Sequence, residues 1–315
     1  MTTTTRRTGS MMRTALAATL ALSAWIAGTV VGSIGSAPPA AGTALMQVGR
    51  AHAEFEPILD GKEPIFVLVL GSDSRPGTPV DRGLADSIHI LGINPAKKKA
   101  TLLGFPRDAY VPLSTGGTNK INAAMPQGGP EAMVATVENV TGITIDYYAL
   151  TGFGGLTRAV DQIGGLTVDL PTQLVGYDKT FQAGTQKLVG RDALQVARTR
   201  KSLLDGDFGR SENQGLLMIS ALAQFRKEFA KDPNRMFAWL GAGLRNVQTD
   251  LSIDELSRLA FTAMTVKPQG VTNIVVPGTI GSAGGSSIVN LSSSASQLYA
   301  DLKADGFILK AGGQG

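Results

Sequence analysis

The apolar positions of the chain form short continuous runs in its first third and spaced, one-sided patterns further on. Three runs of strand length are Ile65 to Leu70, Ile88 to Ile93 and Ala100 to Phe105. Continuous apolar runs of this length are typical of strands that are covered on both faces. Asn94-Pro95 and three lysines separate the second run from the third, and they predict a solvated hairpin turn.

Later segments alternate between helical and strand-like patterns. Apolar residues three and four positions apart predict helices, and short apolar runs bounded by glycines predict further strands. The alternation indicates an α/β fold in which a central mixed sheet carries helices on both faces. A Gly/Ser-rich stretch at 281–295 is predicted to be a loop. The predicted helices are 132–140, 154–163, 208–230 and 252–265, and the predicted strands are 143–150, 166–170 and 271–276.

The amino-terminal segment 14–37 is uncharged and predominantly apolar. A bilayer-spanning helix needs about 20 such residues. Three arginines precede the segment and none follows until Arg50, so residues 1–13 are predicted to be a cytoplasmic head and the rest to lie outside the cytoplasm. A cleaved signal peptide is the alternative, but the apolar span exceeds a signal core of roughly 7–15 residues. We therefore predict one transmembrane signal anchor and a single-pass protein of the cell membrane.

Residues 38–63 are predicted to be a tether between this anchor and the folded domain. The segment opens with Pro38-Pro39, which cannot continue a helix, and it could include a short helix around 45–55. The extracytoplasmic domain is predicted to span residues 64–315. Its last part, from residue 235 onward, carries no motif and is predicted to complete the same domain.

Composition narrows the chemistry that this domain can carry. Three of the 29 Lys and Arg lie in the head, which leaves 26 against 25 Asp and Glu in the rest of the chain. This near balance excludes a general polyanion binder, so a positive site has to be local. The chain has no Cys and only two His, which excludes disulfides, thiol nucleophiles and a His-rich zinc site. His89 lies inside an apolar run and is predicted to be a buried, hydrogen-bonded ring.

Charged and polar side chains recur where the predicted strands end. In open α/β sheets, ligands bind in the crevice beyond the carboxyl ends of the strands. Arginine presents a planar fork that matches phosphate oxygens, and two carboxylates together with substrate phosphates suit Mg²⁺. Taken singly, these residues could instead be turn residues, ion-pair partners or plain surface. The set comprises Asp73, Arg75, Asp86, Arg107, Asp108, Lys120, Arg198, Arg200, Arg210 and Gln214.

Arg198 and Arg200 would point apart inside a regular helix. They can converge only if the helix ends there and the chain bends at Asp205-Gly206-Asp207, before a second helix that carries Arg210 and Gln214 four positions apart. Such a bend would gather cations around a multiply charged anion. The alternative is a solvated helix end followed by a capped helix start.

Several of these segments resemble the LytR-CpsA-Psr family of bacterial cell-envelope proteins, in family order from about residue 64 to 230. The resemblance implies an α/β sheet with surrounding helices and an apolar pocket for a polyprenyl chain. It also implies a phosphotransferase that moves a polyprenyl-pyrophosphate-linked glycopolymer onto peptidoglycan. The segments are Leu70-Gly71-Ser72-Asp73-Ser74-Arg75, Phe105-Pro106-Arg107-Asp108, Asn119-Lys120-Ile121-Asn122-Ala123, Val160-Asp161-Gln162-Ile163-Gly164-Gly165, Arg198-Thr199-Arg200 and Asp207-Phe208-Gly209-Arg210 with Gln214.

The resemblance also implies roles for individual residues. Asp73 and Asp86 match the ligands of Mg²⁺, with Mn²⁺ as the alternative ion, and Gln214 matches a polar contact to the head group. Asp108 is our candidate for a general base. Two positions depart from the family pattern, since Leu84-Ala85 replaces Arg-Ser and Asn213 replaces a second Arg; Arg82 could substitute from upstream. The cations that match the pyrophosphate-binding set are Arg75, Arg107, Lys120, Arg198, Arg200 and Arg210.

Three other functions compete with this transfer reaction. The first is a pyrophosphatase that hydrolyses the same lipid-linked substrate, with water in place of the sugar hydroxyl. The second is a DNA-binding transcriptional regulator, which needs a cytoplasmic basic face that this sequence does not provide. The third is an adhesin for envelope polymers that performs no turnover.

Overall fold

The computed structural model describes residues 46–52, 63–75, 77–200, 206–244, 247–249 and 251–309. The predicted head, the anchor at 14–37 and most of the tether lie outside these residues. Within the described part of the chain, no helix combines the length and the apolar character needed to cross a bilayer.

The described chain contains fifteen strands and seven α-helices. The strands are β1 (Met46–Arg50), β2 (Ile65–Ser72), β3 (Ala85–Asn94), β4 (Lys99–Gly104), β5 (Tyr110–Pro112), β6 (Thr118–Lys120), β7 (Tyr147–Gly152), β8 (Leu166–Leu170), β9 (Leu174–Val175), β10 (Thr180–Phe181), β11 (Gly184–Leu188), β12 (Val247–Thr249), β13 (Val271–Val275), β14 (Gly278–Ala283) and β15 (Ser286–Leu291). The helices are α1 (Ala124–Thr141), α2 (Phe153–Gln162), α3 (Gly190–Arg198), α4 (Asp207–Lys231), α5 (Arg235–Leu244), α6 (Ile253–Thr265) and α7 (Ala295–Asp305), with single 3₁₀ turns at Val80–Arg82, Ile121–Ala123 and Pro268–Gly270.

A seven-stranded mixed sheet in the order β12-β1-β7-β2-β3-β4-β13 forms the centre of the fold. Strand β2 pairs in parallel with β7 and antiparallel with β3, and β4 pairs antiparallel with β3 and in parallel with β13. Strands β7, β2, β4 and β13 therefore share one direction, and their carboxyl ends lie along one edge of the sheet. The start of β3, which runs the opposite way, lies at the same edge.

Apolar side chains cover both faces of this sheet, as the continuous apolar runs predicted. Leu68 and Leu70 of β2 pack in a cluster with Met133 of α1 and Leu302 of α7. The alternate residue Ile65 packs on the opposite face with Val266, next to α6. Because successive side chains of a strand point to opposite faces, this division shows that helices lie on both sides of the sheet. The predicted mixed α/β fold is confirmed.

The boundary of the folded part differs from the predicted one. Residues 46–50 lie in the segment predicted as a tether and form β1, which pairs with β7 and β12. The short helix predicted around 45–55 is therefore wrong over these five positions. The sequence Met-Gln-Val-Gly-Arg has no apolar run of its own, and the strand exists because two partners supply its hydrogen bonds. Gly49 is required there, since a Cβ would overlap the ring of Tyr148.

The stretch 281–295 was predicted to be a loop and is instead mostly a β-hairpin. Strands β14 and β15 pair antiparallel around the turn at Gly284-Gly285, where both glycines have positive φ. The carboxyl-terminal part does complete the same domain, because β13 extends the central sheet and α7 packs on its core.

His89 is a buried ring in β3, as predicted from its apolar surroundings. Its Nε2 lies 3.0 Å from the carbonyl oxygen of Ser211 and its Nδ1 lies 3.2 Å from the hydroxyl of Ser87. The carbonyl can only accept, so Nε2 carries the proton and Nδ1 accepts from Ser87. Burial lowers the pKa of His89 to about 4, and the bond to Ser211 only partly opposes this. The ring is neutral at pH 7 and ties β3 to the first turns of α4.

We expect the neutral His89 to make the fold sensitive to acid. The unfolded chain binds a proton at this ring near its usual pKa of about 6.5, whereas the folded chain binds it only near pH 4. Stability should therefore fall as the pH drops from about 6.5 to 4, by on the order of 3 kcal/mol. Urea unfolding at several pH values will measure this loss of stability. We expect His89→Gln to abolish the loss and His52→Gln, a change at an exposed position, to retain it. Equal acid losses in all three proteins would contradict the prediction.

Candidate active site

The predicted site residues meet at the edge where the strand ends lie. Asp73 follows β2, Arg107 follows β4 and Phe153 follows β7, while Asp86 is the second residue of β3. Helices α3 and α4 close the site from above the sheet edge with Arg198 and Arg210. This is the crevice beyond the carboxyl ends of strands in which open α/β sheets bind ligands.

Five arginines and two aspartates line one cavity of about 400 Å³ at this edge, here named the cation cavity. The structure thus brings together seven of the ten predicted site residues and adds Phe153. Asp108, Lys120 and Gln214 do not line the cation cavity. Asp108 and Lys120 lie behind its lining residues, and Gln214 lines an adjoining pocket. The lining residues are Asp73, Arg75, Asp86, Arg107, Phe153, Arg198, Arg200 and Arg210.

A chain of ion pairs fixes Arg107 at the floor of the cation cavity. Its Nη1 lies 2.5 Å from Oδ1 of Asp86, and its Nε lies 3.8 Å from Oδ1 of Asp108. Lys120 approaches the same Asp108 oxygen at 3.2 Å. Burial alone would lower the pKa of Arg107, but the hydrogen bond and charge of Asp86, with the charges of Asp108 and Asp207, raise it above its ordinary value. Asp108 is held by two cations behind the wall, which suits a positioning role better than that of a base.

Arg210 is almost completely buried at the inner end of the cation cavity. Its Nη2 lies 3.2 Å from Oδ1 of Asp207, and Nη1 of Arg200 lies 3.3 Å from the same oxygen. Burial lowers the pKa of Arg210, and the charge of Asp207 opposes this effect. The Nε atoms of Arg210 and Arg107 are buried without a hydrogen-bond partner among the described residues. Both guanidinium groups line the cation cavity, and arginines on a cavity wall suit an anionic ligand.

Helix α3 ends at Arg198, which allows two near neighbours to face one cavity. Thr199 is extended, with φ of −63° and ψ of 131°, so Arg200 leaves the helical course. The guanidinium carbon of Arg198 lies 4.5 Å from the ring centroid of Phe153, a cation–π contact. The predicted helix end is confirmed. Of the predicted bend, Gly206 and Asp207 are described and Asp205 is not.

Asp73 is fixed by backbone contacts to the loop before β3. Its Oδ1 accepts from the amide of Leu84 at 2.7 Å, and its own amide donates to the carbonyl of Leu84 at 3.0 Å. A Cβ at Gly83 would collide with Oδ1 of Asp73 and with the amide of Ser74. Both contacts use the backbone of residue 84, so they do not depend on which side chain stands there. Arg82 lies near Asp81 at 4.0 Å and does not line the cation cavity, so it does not replace the family's Arg at position 84.

Asp73 and Asp86 fit a magnesium site that is completed by a substrate. Both line the cation cavity, and the hydrogen bond of each to the protein uses Oδ1, so Oδ2 remains for a ligand. Within the described part of the chain, no group of three or more acidic or histidine side chains could hold a metal. Mg²⁺ is commonly held by one or two carboxylates together with water and substrate phosphates. The donor set therefore suits Mg²⁺ shared with a phosphate rather than an all-protein metal cage.

An apolar pocket opens directly beside the cation cavity. Asp86, Phe153, Arg198 and Arg210 line both, and the rest of the apolar pocket is mainly aliphatic. Gln214 lies at the junction, where its Nε2 donates to the carbonyls of Ala197 at 3.0 Å and Asp86 at 3.2 Å. Two further apolar cavities share Met218 with it, beneath α4. The aliphatic residues are Val69, Leu70, Leu156, Leu194, Ala197, Leu217 and Met218.

Sequence reasoning did not assign roles to Phe153 and Asp207. Phe153 opens α2 directly after β7, and its position at a strand end was the available signal. Asp207 begins the Asp-Phe-Gly-Arg segment. Its position three residues before Arg210 on a predicted helix could have indicated the ion pair between Asp207 and Arg210.

The profile of the LytR_cpsA_psr family matches residues 42–304. The chain belongs to this family. The match begins close to β1 and ends in α7, so the family domain includes the strand in the predicted tether and the carboxyl-terminal part. All the segments that resemble the family lie within the matched residues.

Named members of the LytR-CpsA-Psr family are similar to the chain in sequence and in structure. The polyisoprenyl-teichoic acid–peptidoglycan teichoic acid transferase TagU of Oceanobacillus iheyensis is 32% identical over 213 residues, which are 65% of this chain and 65% of that protein. The crystal structure of Bacillus subtilis TagV superposes with a TM-score of 0.65 at 27% identity, covering 78% of this chain and 97% of that one. A structure of TagT bound to LIIa-WTA gives 0.64 at 25% identity, covering 81% and 94%.

Proposed function

We propose that the chain transfers a glycopolymer from a polyprenyl-pyrophosphate carrier onto peptidoglycan. The observation that carries this proposal is the direct opening of the cation cavity into an apolar pocket. A charged diphosphate joined to a long apolar chain is the ligand class that needs both environments at once. The names of the curated relatives, which describe polyisoprenyl-linked teichoic acid and peptidoglycan, support the same substrates.

The arginines would bind the diphosphate of this donor. Arg107 and Arg210 line the cation cavity, together with Arg75, Arg198 and Arg200. Guanidinium groups pair with phosphate oxygens two atoms at a time and remain charged when partly buried. The polyprenyl chain would lie in the apolar pocket beneath α4, and Gln214 would mark the boundary between head group and lipid.

The reaction is a displacement at the phosphorus nearest the glycan. A sugar hydroxyl oxygen of peptidoglycan forms the new P–O bond, the bond to the bridging diphosphate oxygen breaks, and polyprenyl phosphate leaves with the electron pair. The hydroxyl proton passes to solvent or to the leaving phosphate. Positioning and charge stabilisation supply most of the catalysis in such transfers. Arg107 and Arg210 would neutralise the charge that develops on the phosphate oxygens.

Asp73 and Asp86 would hold Mg²⁺, with Mn²⁺ as the alternative. When bound, the ion would add positive charge beside the phosphate oxygens. The segment 14–37 would anchor the chain in the cell membrane and place the catalytic domain outside the cytoplasm, where polymer and peptidoglycan meet. Both proposals come from the sequence.

Reconstitution with a defined donor tests the function. Purified protein is mixed with a polyprenyl-pyrophosphate-linked oligosaccharide and Mg²⁺, with and without a soluble uncross-linked glycan strand. We expect polyprenyl phosphate and a glycan phosphodiester to form together, only when the acceptor is present. Release of polyprenyl phosphate at an equal rate with water alone would identify a pyrophosphatase. Binding without any release would indicate an adhesin.

A further inference from the structure

A further cavity of about 540 Å³ lies on the other side of the amino-terminal turns of α4 from the cation cavity. We name it the side cleft. Its lining includes Phe208, Glu212, Asn273, Pro277, Gly278 and Ile280.

The first turns of α4 separate the side cleft from the cation cavity. Residues 207, 210 and 214 share one helical face, and residues 208 and 212 share another. Arg210 accordingly lines the cation cavity and Gln214 its apolar neighbour, whereas Phe208 and Glu212 line the side cleft. The two cavities are thus adjacent sites that one helix divides.

The wall of the side cleft is tied to the floor of the cation cavity. The amide of Val289 in β15 donates to the carbonyl of Asp108 at 2.8 Å, and Ala109 forms an isolated bridge with Val289. Asn273 of β13 donates from Nδ2 to the carbonyl of Glu212 at 2.9 Å and so holds the sheet edge against α4. Because Asp108 is next to Arg107 in sequence, these contacts fix the position of the side cleft relative to the floor of the cation cavity.

The chemistry of the side cleft suits a neutral sugar and not a phosphate. None of its described lining residues is Lys or Arg, and its one ionisable side chain is the exposed carboxylate of Glu212. Glu212 makes no ion pair with another described residue, so its oxygens are available to hydroxyl donors. Phe208 and the largely exposed Ile280 offer apolar surface on which the C–H face of a sugar ring can pack.

The order of the sheet places the side cleft and the apolar pocket on opposite sides of the cation cavity. The apolar pocket lies at β2 and β7, the cation cavity at the carboxyl ends of β2 and β4 and the start of β3, and the side cleft at β13 and β14. In phosphoryl transfer, the attacking and leaving oxygens lie roughly in line with phosphorus between them. A lipid phosphate leaving toward the apolar pocket requires an acceptor approaching from the opposite side.

We propose that the side cleft binds the acceptor glycan of peptidoglycan beside the cation cavity. This inference rests on the proposed function, because it assigns the second substrate of the same reaction. Glu212 orients the sugar through its hydroxyls, and Phe208 packs against the ring.

Direct binding of a soluble glycan tests the cleft without the donor. The probe is a tetrasaccharide cut from uncross-linked peptidoglycan, titrated into the wild-type chain and into Glu212→Gln, Phe208→Leu and Asp169→Asn, a control that changes an exposed carboxylate lining neither cavity. We expect Kd to rise about tenfold in the first two variants and to stay unchanged in the control. Unchanged affinity in both cleft variants overturns the inference, whatever reaction the protein performs.

Kinetics with the lipid-linked donor separate the cleft from the reaction. We expect Glu212→Gln and Phe208→Leu to raise KM for the acceptor about tenfold while leaving KM for the donor unchanged, with thermal unfolding confirming the folded state. A rise in the donor KM instead overturns the inference, since the cleft would then hold the donor glycan. Weaker tetrasaccharide binding in the variants, together with a wild-type protein that turns over no donor, supports the cleft and refutes the transferase function.

Discussion

Replacing Arg210 with alanine is expected to reduce kcat/KM for glycopolymer transfer by about a thousandfold, the loss typical of removing one charged stabiliser of a phosphoryl transition state. Arg210 is almost fully buried where the cation cavity meets the apolar pocket, and its Nε has no partner among the described residues. Arg210→Lys should also lose activity, by roughly a hundredfold, because an ammonium cannot reproduce the two-atom fork. Steady-state transfer rates with the lipid-linked donor measure both effects.

The stability of the Arg210 variants needs its own control, since Arg210 is a buried partner of Asp207. Removing one member of a buried pair leaves the other uncompensated and destabilises the fold. The double variant Asp207→Asn with Arg210→Met should recover thermal stability but not activity. Lys227→Ala, an exposed cation on the same helix, should change neither. Transfer at the wild-type rate by a folded Arg210→Ala protein would refute the role assigned to this guanidinium.

The central strands could be predicted because each carries its own signal. The runs at β2, β3 and β4 are apolar on both faces, which matches their burial between two layers of helices. Strand β1 and the hairpin β14–β15 carry no such signal. Strand β14, Gly-Thr-Ile-Gly-Ser-Ala, has a single large apolar residue, and that residue, Ile280, is exposed. Strand β1 forms by pairing with the distant strands β7 and β12, which its own sequence cannot show, whereas β14 and β15 pair with each other across a short turn.

The candidate site was predictable as a set of residues but not as an arrangement. The motif segments contain Asp73 and the five arginines that line the cation cavity, and Asp86 was added as the second ligand of Mg²⁺ that the resemblance implies. The ion-pair partners of these residues could not be predicted from the sequence. Lys120 lies next to Asp108 because strands β5 and β6 pair it with Tyr110, which is ten positions earlier in the sequence. The side cleft depends on which face of α4 meets β13, and that contact is fixed only by tertiary packing.

Asp73→Asn is expected to reduce transfer by about a thousandfold and to remove its stimulation by Mg²⁺. The substitution preserves shape, and the amide oxygen can still accept from the backbone of Leu84, so the loop keeps its contact. What is lost is the negative charge, and with it one of the two carboxylates that line the cation cavity. Two charged ligands bind a divalent ion far better than one charged and one neutral ligand, because hard cations favour ionised oxygens. Titrating Mg²⁺ and Mn²⁺ against the transfer rate measures this change.

The nearby Asp81→Asn is the matched control, because Asp81 lies in the same connection between β2 and β3 but does not line the cation cavity. It should keep the wild-type rate and the wild-type response to Mg²⁺. Treating the wild-type protein with a chelator should reproduce the loss seen in Asp73→Asn, and adding Mg²⁺ should restore activity only in the wild type. If the chelator leaves wild-type transfer intact, the site works through its arginines alone, and Asp73 then serves to hold the loop rather than an ion.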